Sequence, residues 1–236
     1  MRAMIGGIGL ATQYHVEAYA PMPWDELVHR VRALGLGIGE RELVQKAESG
    51  LIHISKRNGV DVVPQSSVQR VLGEVLEGKH DLFGMSDFLL WEDAFWNLVV
   101  NEGLDDSLDE YFKGSSYTAA HYVGLTDGTP TPAAGDELTG THAGWTEVTA
   151  YDEANRQDLT LGAVSSQSVD NSASKAAFTI DTNSTTIGGA FVCTDNTKGG
   201  SAAGVIYGVG AFSAADKELD DDDTLNVTVT LTASAS

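Results

Sequence analysis

The sequence predicts an α+β protein, with a mainly helical N-terminal region carrying a small β-hairpin and a C-terminal antiparallel β-sandwich after it. Three observations predict it. Apolar residues recur at helical spacing through much of residues 23–114. An Asn58-Gly59 pair sits between two short β-prone runs. Beyond Gly114 the apolar period falls from 3.6 to 2, and the composition turns to Gly, Ser, Thr, Val, Ala and Asp. Three segments follow from this: an extended arm over 1–22, a mainly helical region over 23–114 with its hairpin near 51–63, and the sandwich over 115–236.

The arm is expected because Gly6-Gly7-Ile8-Gly9 interrupts a short apolar stretch that lacks a convincing signal-peptide cleavage site. Pro23-Trp24-Asp25-Glu26 starts a first helix, with Pro and acidic residues in its first turn, and Leu27, Val28, Val31 and Leu34 share one face. Gly35, Gly37 and Gly39 end it. A short helix over 40–48 aligns Leu43, Val44 and Ala47. Leu51–Ile54 and Val60–Val63 flank the Asn-Gly turn. After Pro64, the spacing of Val68, Val71, Leu72, Val75 and Leu76 predicts an amphipathic helix capped by Ser66 or Ser67 and closed by Gly78.

A further helical run is expected from Phe88 to Phe112. Its aromatic density exceeds what one buried stripe needs. Two readings stand: packing in the core, or burial against another subunit or a shell. Under the second, Trp91, Phe95, Trp96, Leu104, Leu108, Tyr111 and Phe112 form the candidate interface. Short strands are then expected near 118–125, 145–150, 156–161, 176–181, 186–194 and 203–211. The last strand shows the clearest alternation, with Leu225, Val227, Val229 and Leu231 on one side and Asn226, Thr228 and Thr230 on the other.

A formal charge of −20 argues against nucleic acid as a partner, because phosphate neutralisation by Lys and Arg supplies most of such affinity. The imbalance is strongest after residue 114, where 4 Lys/Arg face 16 Asp/Glu, so those carboxylates look to water, metal ions or a basic partner. Helix, helix, hairpin and helix loosely suggest a winged helix with Lys56 and Arg57 at the wing tip. Across 24–80, however, 8 Lys/Arg balance 8 Asp/Glu, so the basic footprint is missing. No window reaches the roughly 20 apolar residues of a membrane span, and no membrane partner is expected.

Residue spacing points away from catalysis, cofactors and metals. Cys193 is the only cysteine, which excludes an intrachain disulfide and a Cys-based zinc site, and its apolar neighbours predict burial. His15, His29, His53 and His80 show no His-x-His or His-x3-His spacing and read as surface or packing residues. His121 lies in a strand, and His142 in a polar loop before Trp145. No Gly-x-Ser-x-Gly elbow supports a triad. Gly35-Leu36-Gly37-Ile38-Gly39 and the Gly-rich N-terminus lack the continuation of a phosphate loop. Asp220-Asp221-Asp222-Asp223 lacks EF-hand spacing and is expected to be a solvated turn.

Trp96-Asn97-Leu98-Val99-Val100-Asn101-Glu102-Gly103-Leu104 is followed by Tyr122-Val123-Gly124-Leu125-Thr126-Asp127-Gly128 and His142-Ala143-Gly144-Trp145-Thr146-Glu147-Val148. With Tyr151, Asn155-Arg156, Ser168-Val169-Asp170-Asn171-Ser172, Gly188-Gly189-Ala190-Phe191 and Asp223-Thr224-Leu225-Asn226-Val227-Thr228, this wording resembles a family of tailed-phage virion structural proteins. The resemblance covers roughly residues 94–236. It implies a non-enzymatic virion component, first a capsid decoration (cement) protein bound to the major capsid protein or other virion proteins, and second a tail-fibre or baseplate component touching the host surface. A hydrolase acting on cell-surface polymer stands third, and would need a pocket with two convergent carboxylates. Within that frame Gly124, Gly144 and Gly188-Gly189 would fix close backbone approaches, Trp145 and Phe191 would fill the core, and Arg156 would pair with Glu147 or Glu153. A homo-oligomer is expected, and a trimer fits the threefold positions of a capsid.

Overall fold

The chain leaves a five-stranded sheet at Tyr19, builds a separate helical unit, and returns to the same sheet at Leu89. The computed structural model describes residues 8–76, 85–113, 120–139, 142, 144–200 and 203–235. It is a mixed α and β architecture with several antiparallel sheets. Gly6, Gly7, Gly78, His80 and Gly114 lie outside the described residues.

Strand β1 (Ile8–Tyr19) replaces the expected arm. It pairs along its length with the last strand, from Ile8 opposite Ala235 to Tyr19 opposite Thr224. The cause is an alternation that the glycine-rich start obscures. Tyr14, Val16 and Ala18 are fully buried, whereas Gln13, His15 and Glu17 face the other side.

The helical unit follows. β2 (Met22–Pro23) leads into α1 (Trp24–Ala33) and α2 (Glu40–Glu48), as the periodicity predicts. β3 (Ser55–Arg57) and β4 (Val60–Val63) form the expected hairpin, and β2 adds to it in the order β2-β4-β3. Asn58 and Gly59 both take positive φ, 52° and 82°, which a two-residue type I′ turn demands. Leu27, Val31, Leu43, Val63, Val68 and Leu72 fill this unit's own core. Helix α3 (Gln65–Leu76) starts directly after Pro64, so neither serine caps it. Ser67 Oγ accepts from His53 N at 3.3 Å, and Ser66 Oγ lies 2.6 Å from Thr179 Oγ1.

A 3-10 turn (Met85–Phe88) precedes β5 (Leu89–Trp96), where a helix was expected. Trp91 and Phe95 turn toward the core, while Glu92, Ala94 and Trp96 turn out. Apolar spacing in this run fits either period, and pairing with β1 decides for the strand. Strand β6 (Leu98–Val99) then crosses to the second large sheet. The helical expectation holds further on, in α4 (Asn101–Ser107) and a π-helical turn (Leu108–Phe112).

The remaining strands are β7 (Tyr122–Thr126), β8 (Glu147–Val148), β9 (Gln157–Asp158), β10 (Ser168–Asp170), β11 (Ala176–Thr179), β12 (Thr185–Ile187), β13 (Gly189–Cys193), β14 (Ile206–Ala211), β15 (Lys217–Leu219) and β16 (Thr224–Ala235). One large sheet runs β10-β16-β1-β5, with β11 also on β16; the other runs β6-β14-β13-β7-β8, with β9 on β7. The sheets therefore do not begin at Gly114, since β1, β5 and β6 belong to them. Tyr14, Val16, Phe95, Phe178, Val227 and Val229 from the first sheet share one core with Val123, Leu125, Ala190 and Val192 from the second. Tyr14 also donates its hydroxyl across that core to Gly208 O at 3.2 Å.

All five residues of β13 are buried, because the second sheet is covered on both faces. Ala190 and Val192 face the shared core. Phe191 and Cys193 face a separate cluster with Trp145, Val100, Leu138, Ile206 and Val209. Such two-sided burial explains the unbroken apolar run Gly189–Cys193.

Candidate functional site

The structure divides the candidate interface residues. Phe95 is 4% exposed and stacks on Tyr14 with ring centroids 5.1 Å apart. Trp91 is partly buried, meets Phe212 edge-on at 5.5 Å, and lies under the Lys217 ammonium. Both are core residues of this chain. Trp96, Leu104 and Leu108 are exposed, and Leu98, which sequence reasoning left out of the interface, is exposed with them. The side chains of Tyr111 and Phe112 lie outside the described residues.

Trp96 projects from the outer face of β5, while Leu104 and Leu108 belong to the helical segment packed on β14. Gly103 permits that packing, since a Cβ there would sit 2.6 Å from Tyr207 Cα. Glu102 fixes the segment by accepting from Ile206 N at 2.8 Å and Leu138 N at 3.1 Å. Along the chain Trp96, Leu98, Leu104 and Leu108 span only 96–108, and β5, β6 and α4 each contact β14.

Asp220–Asp223 forms a turn, but not the solvated one expected. Asp222 and Asp223 are 5% and 3% exposed. Arg57 Nη1 donates to Asp223 Oδ1 at 2.8 Å and Nη2 to Asp220 Oδ2 at 3.0 Å. Ser55 Oγ donates to Asp222, and His53 Nε2 lies 3.6 Å from the same carboxylate. Burial raises the pKa of Asp223, against hydrogen bonds from the Asp220 amide and Arg57. The basic partner of this acidic run is thus the hairpin of the same chain. Lys56 likewise pairs with Asp61 at 2.6 Å, so both cations at the hairpin tip are neutralised internally.

Arg156 selects Glu147, not Glu153. Its Nε and Nη2 donate to the two Glu147 carboxylate oxygens, each at 2.8 Å, and Nη1 reaches Asp195 O at 2.8 Å. The Arg156 side chain is 2% exposed and stands over the Phe191 ring. Glu153 instead accepts from the Thr179 amide. Beside Arg156, burial pushes the Cys193 thiol up to about 11, which leaves it protonated and a poor nucleophile.

Two further histidines and Asp136 make packing or hydrogen-bonded contacts within the fold. His142 stacks on Trp145 at 4.2 Å, and Trp145 Nε1 donates to buried Asp136 at 2.9 Å. Burial lowers the pKa of His121, whose ring meets Tyr207 edge-on at 5.0 Å. Among the described residues no serine hydroxyl is hydrogen-bonded to an imidazole. A cavity of about 490 Å³ opens at one end of the two large sheets, lined among others by Thr12, Val99, His121, Leu159, Tyr207 and Leu231. No Asp or Glu lines it among the described residues, so it lacks the carboxylate pair of a glycosidase.

One group among the described residues brings metal-ligand atoms together. His15, Glu17 and Glu92 place an imidazole nitrogen and two carboxylate oxygens within 4.8 Å of one another. Glu92 stands directly across from Glu17 on the neighbouring strand. Spacing along the chain could not reveal this, because the third residue arrives from another strand.

Among the described residues no helix is long and apolar enough to cross a membrane. Compared with protein-family models, curated proteins and solved structures, the chain matches none.

Proposed function

We propose that this chain is a non-enzymatic virion structural protein of a tailed phage, acting as a capsid decoration protein that binds and stabilises the head shell. In this reading the two large sheets form the two layers of a β-sandwich, and the helical unit is an insertion between its first two strands. The observation that carries the proposal is the exposed apolar set Trp96, Leu98, Leu104 and Leu108, on a chain whose main ionic clusters are engaged in its own architecture. Exposed Trp and Leu side chains suit the anchor of a protein interface. The motif resemblance over residues 94–236 supplies the class of partner: the major capsid protein or other virion proteins, contacted by a homotrimer.

Copy number tests it. Quantitative mass spectrometry of purified particles should find this protein in hundreds of copies, and labelled particles should show it over the head. A handful of copies at one vertex would replace the decoration role with the second reading, a tail-fibre or baseplate component. Light scattering of the purified chain should give a trimer mass.

A further inference from the structure

We propose that His15, Glu17 and Glu92, together with the carboxamide of Asn226, form a site for a divalent first-row cation, with Zn²⁺ the best fit. The strand geometry builds it. Alternation along β1 sends His15 and Glu17 out from the face opposite Tyr14, Val16 and Ala18. Glu92 of β5 and Asn226 of β16 stand directly across from Glu17 on its two sides. Three adjacent strands thus present Asn226, Glu17 and Glu92 in one row, with His15 in the next.

The three ligand atoms already lie within 4.8 Å of one another. Ligands held at about 2.0–2.2 Å from one ion need to close only slightly further. The side chains that must move are accessible, His15 being 42% and Glu92 63% exposed.

Asn226 is an independent observation. It is 1% exposed, yet neither its Oδ1 nor its Nδ2 has a hydrogen-bond partner. A buried amide left so is costly to the fold. Leu225 and Val227 point into the core, so the Asn226 side chain lies on the Glu17 face. An ion at Glu17 gives its Oδ1 a partner.

The place already attracts positive charge. Lys175, just ahead of β11, sets its ammonium against Glu17 Oε2. Tyr19 donates to Glu17 Oε1 at 3.2 Å. A divalent ion displaces the Lys175 ammonium, whose side chain is 31% exposed and free to turn to solvent. One imidazole nitrogen among oxygen ligands suits Zn²⁺, whereas Mg²⁺ and Ca²⁺ prefer all-oxygen shells. The bound ion ties β16, β1 and β5 together, so it stabilises the sheet by linkage.

Calorimetric titration of the tag-free full chain with Zn²⁺ tests this, with thermal midpoints measured alongside. One Zn²⁺ per chain and a raised midpoint are expected, with Mg²⁺ binding far more weakly. His15→Ala and Glu92→Gln, both at exposed positions, should each weaken binding at least about tenfold. Lys175→Met should tighten it, since the competing ammonium is gone, and His29→Ala on α1 should leave it unchanged. No binding, binding that survives both His15→Ala and Glu92→Gln, equal affinity for Mg²⁺, or no gain from Lys175→Met would each overturn the assignment.

Discussion

Arg57 and Asp223 stand 166 residues apart in the chain and 2.8 Å apart in the fold. The guanidinium belongs to the first hairpin, and the carboxylate to the turn that launches the last strand. Their pairing docks the helical unit on the end of the large sheet. Ser66 adds to it by donating its amide to Thr224 Oγ1 at 3.2 Å. Asp223 is 3% exposed, so its charge depends on Arg57 and the Asp220 amide for compensation.

Replacing Arg57 by Met should therefore lower stability by about 2 kcal/mol, because it leaves a buried carboxylate without its cation. Urea unfolding measures this. Asp223→Asn in the same background should recover part of the loss, since the uncompensated charge is then removed. A double variant no more stable than Arg57→Met would show that Asp223 is not the group Arg57 serves.

Arg156 is a stronger case, its side chain 2% and that of Glu147 10% exposed. Arg156→Met should cost about 3–5 kcal/mol, and Arg156→Lys should recover little, because a point charge cannot bridge both Glu147 oxygens and Asp195 O. Chemical denaturation of the two variants provides the comparison.

Burial raises the pKa values of Asp152, Glu153, Asp221 and Asp223. A carboxyl raised on folding binds its proton more tightly in the folded chain. Its contribution is greatest below the unfolded value, about 4, and is lost as pH rises through the folded value. His121, lowered by burial, acts in the opposite direction, losing stability as pH falls through about 6.5. Four raised carboxyls stand against the imidazole and one lowered carboxyl, Asp170, held down by its hydrogen bonds from Ser172. On a chain of net charge −20 the balance favours mild acid. The thermal midpoint should be higher near pH 5 than at pH 7.5, and calorimetry across that range reads it directly.

Gly188→Ala and Gly124→Ala should separate two kinds of close approach. A Cβ on Gly188 would overlap the carbonyl of Gly128, which is backbone. On Gly124 it would meet the Phe191 ring, a side chain fixed in the core. Both should destabilise by more than about 2 kcal/mol, Gly188→Ala the more, as judged by soluble yield and thermal melting.

Trp96→Ser and Leu108→Ser should change the stability of the isolated chain by no more than about 0.5 kcal/mol, since both side chains are exposed. Under the proposed function they should nevertheless reduce trimer mass in light scattering or occupancy on particles. Unchanged assembly in the double variant would remove these two residues from the interface.

The sequence alone determined the local elements. Helices α1, α2 and α3, the Asn58-Gly59 hairpin, the burial of Cys193 and the strand character of most segments after residue 120 follow from periodicity and turn chemistry, which act within a few residues. Only the tertiary structure decided the rest. It turned the arm into β1 and the aromatic run into β5, because a segment whose apolar spacing fits two periods takes the one its partner strand can pair. It also divided Phe95, sealed against Tyr14, from Trp96 next to it, left in solvent. Pairing Arg57 with Asp223, choosing Glu147 for Arg156 and gathering His15, Glu17 and Glu92 all depend on strands distant in sequence. Burial and charge compensation are properties of what surrounds a residue, and for these residues the chain supplies the surroundings only after it has folded.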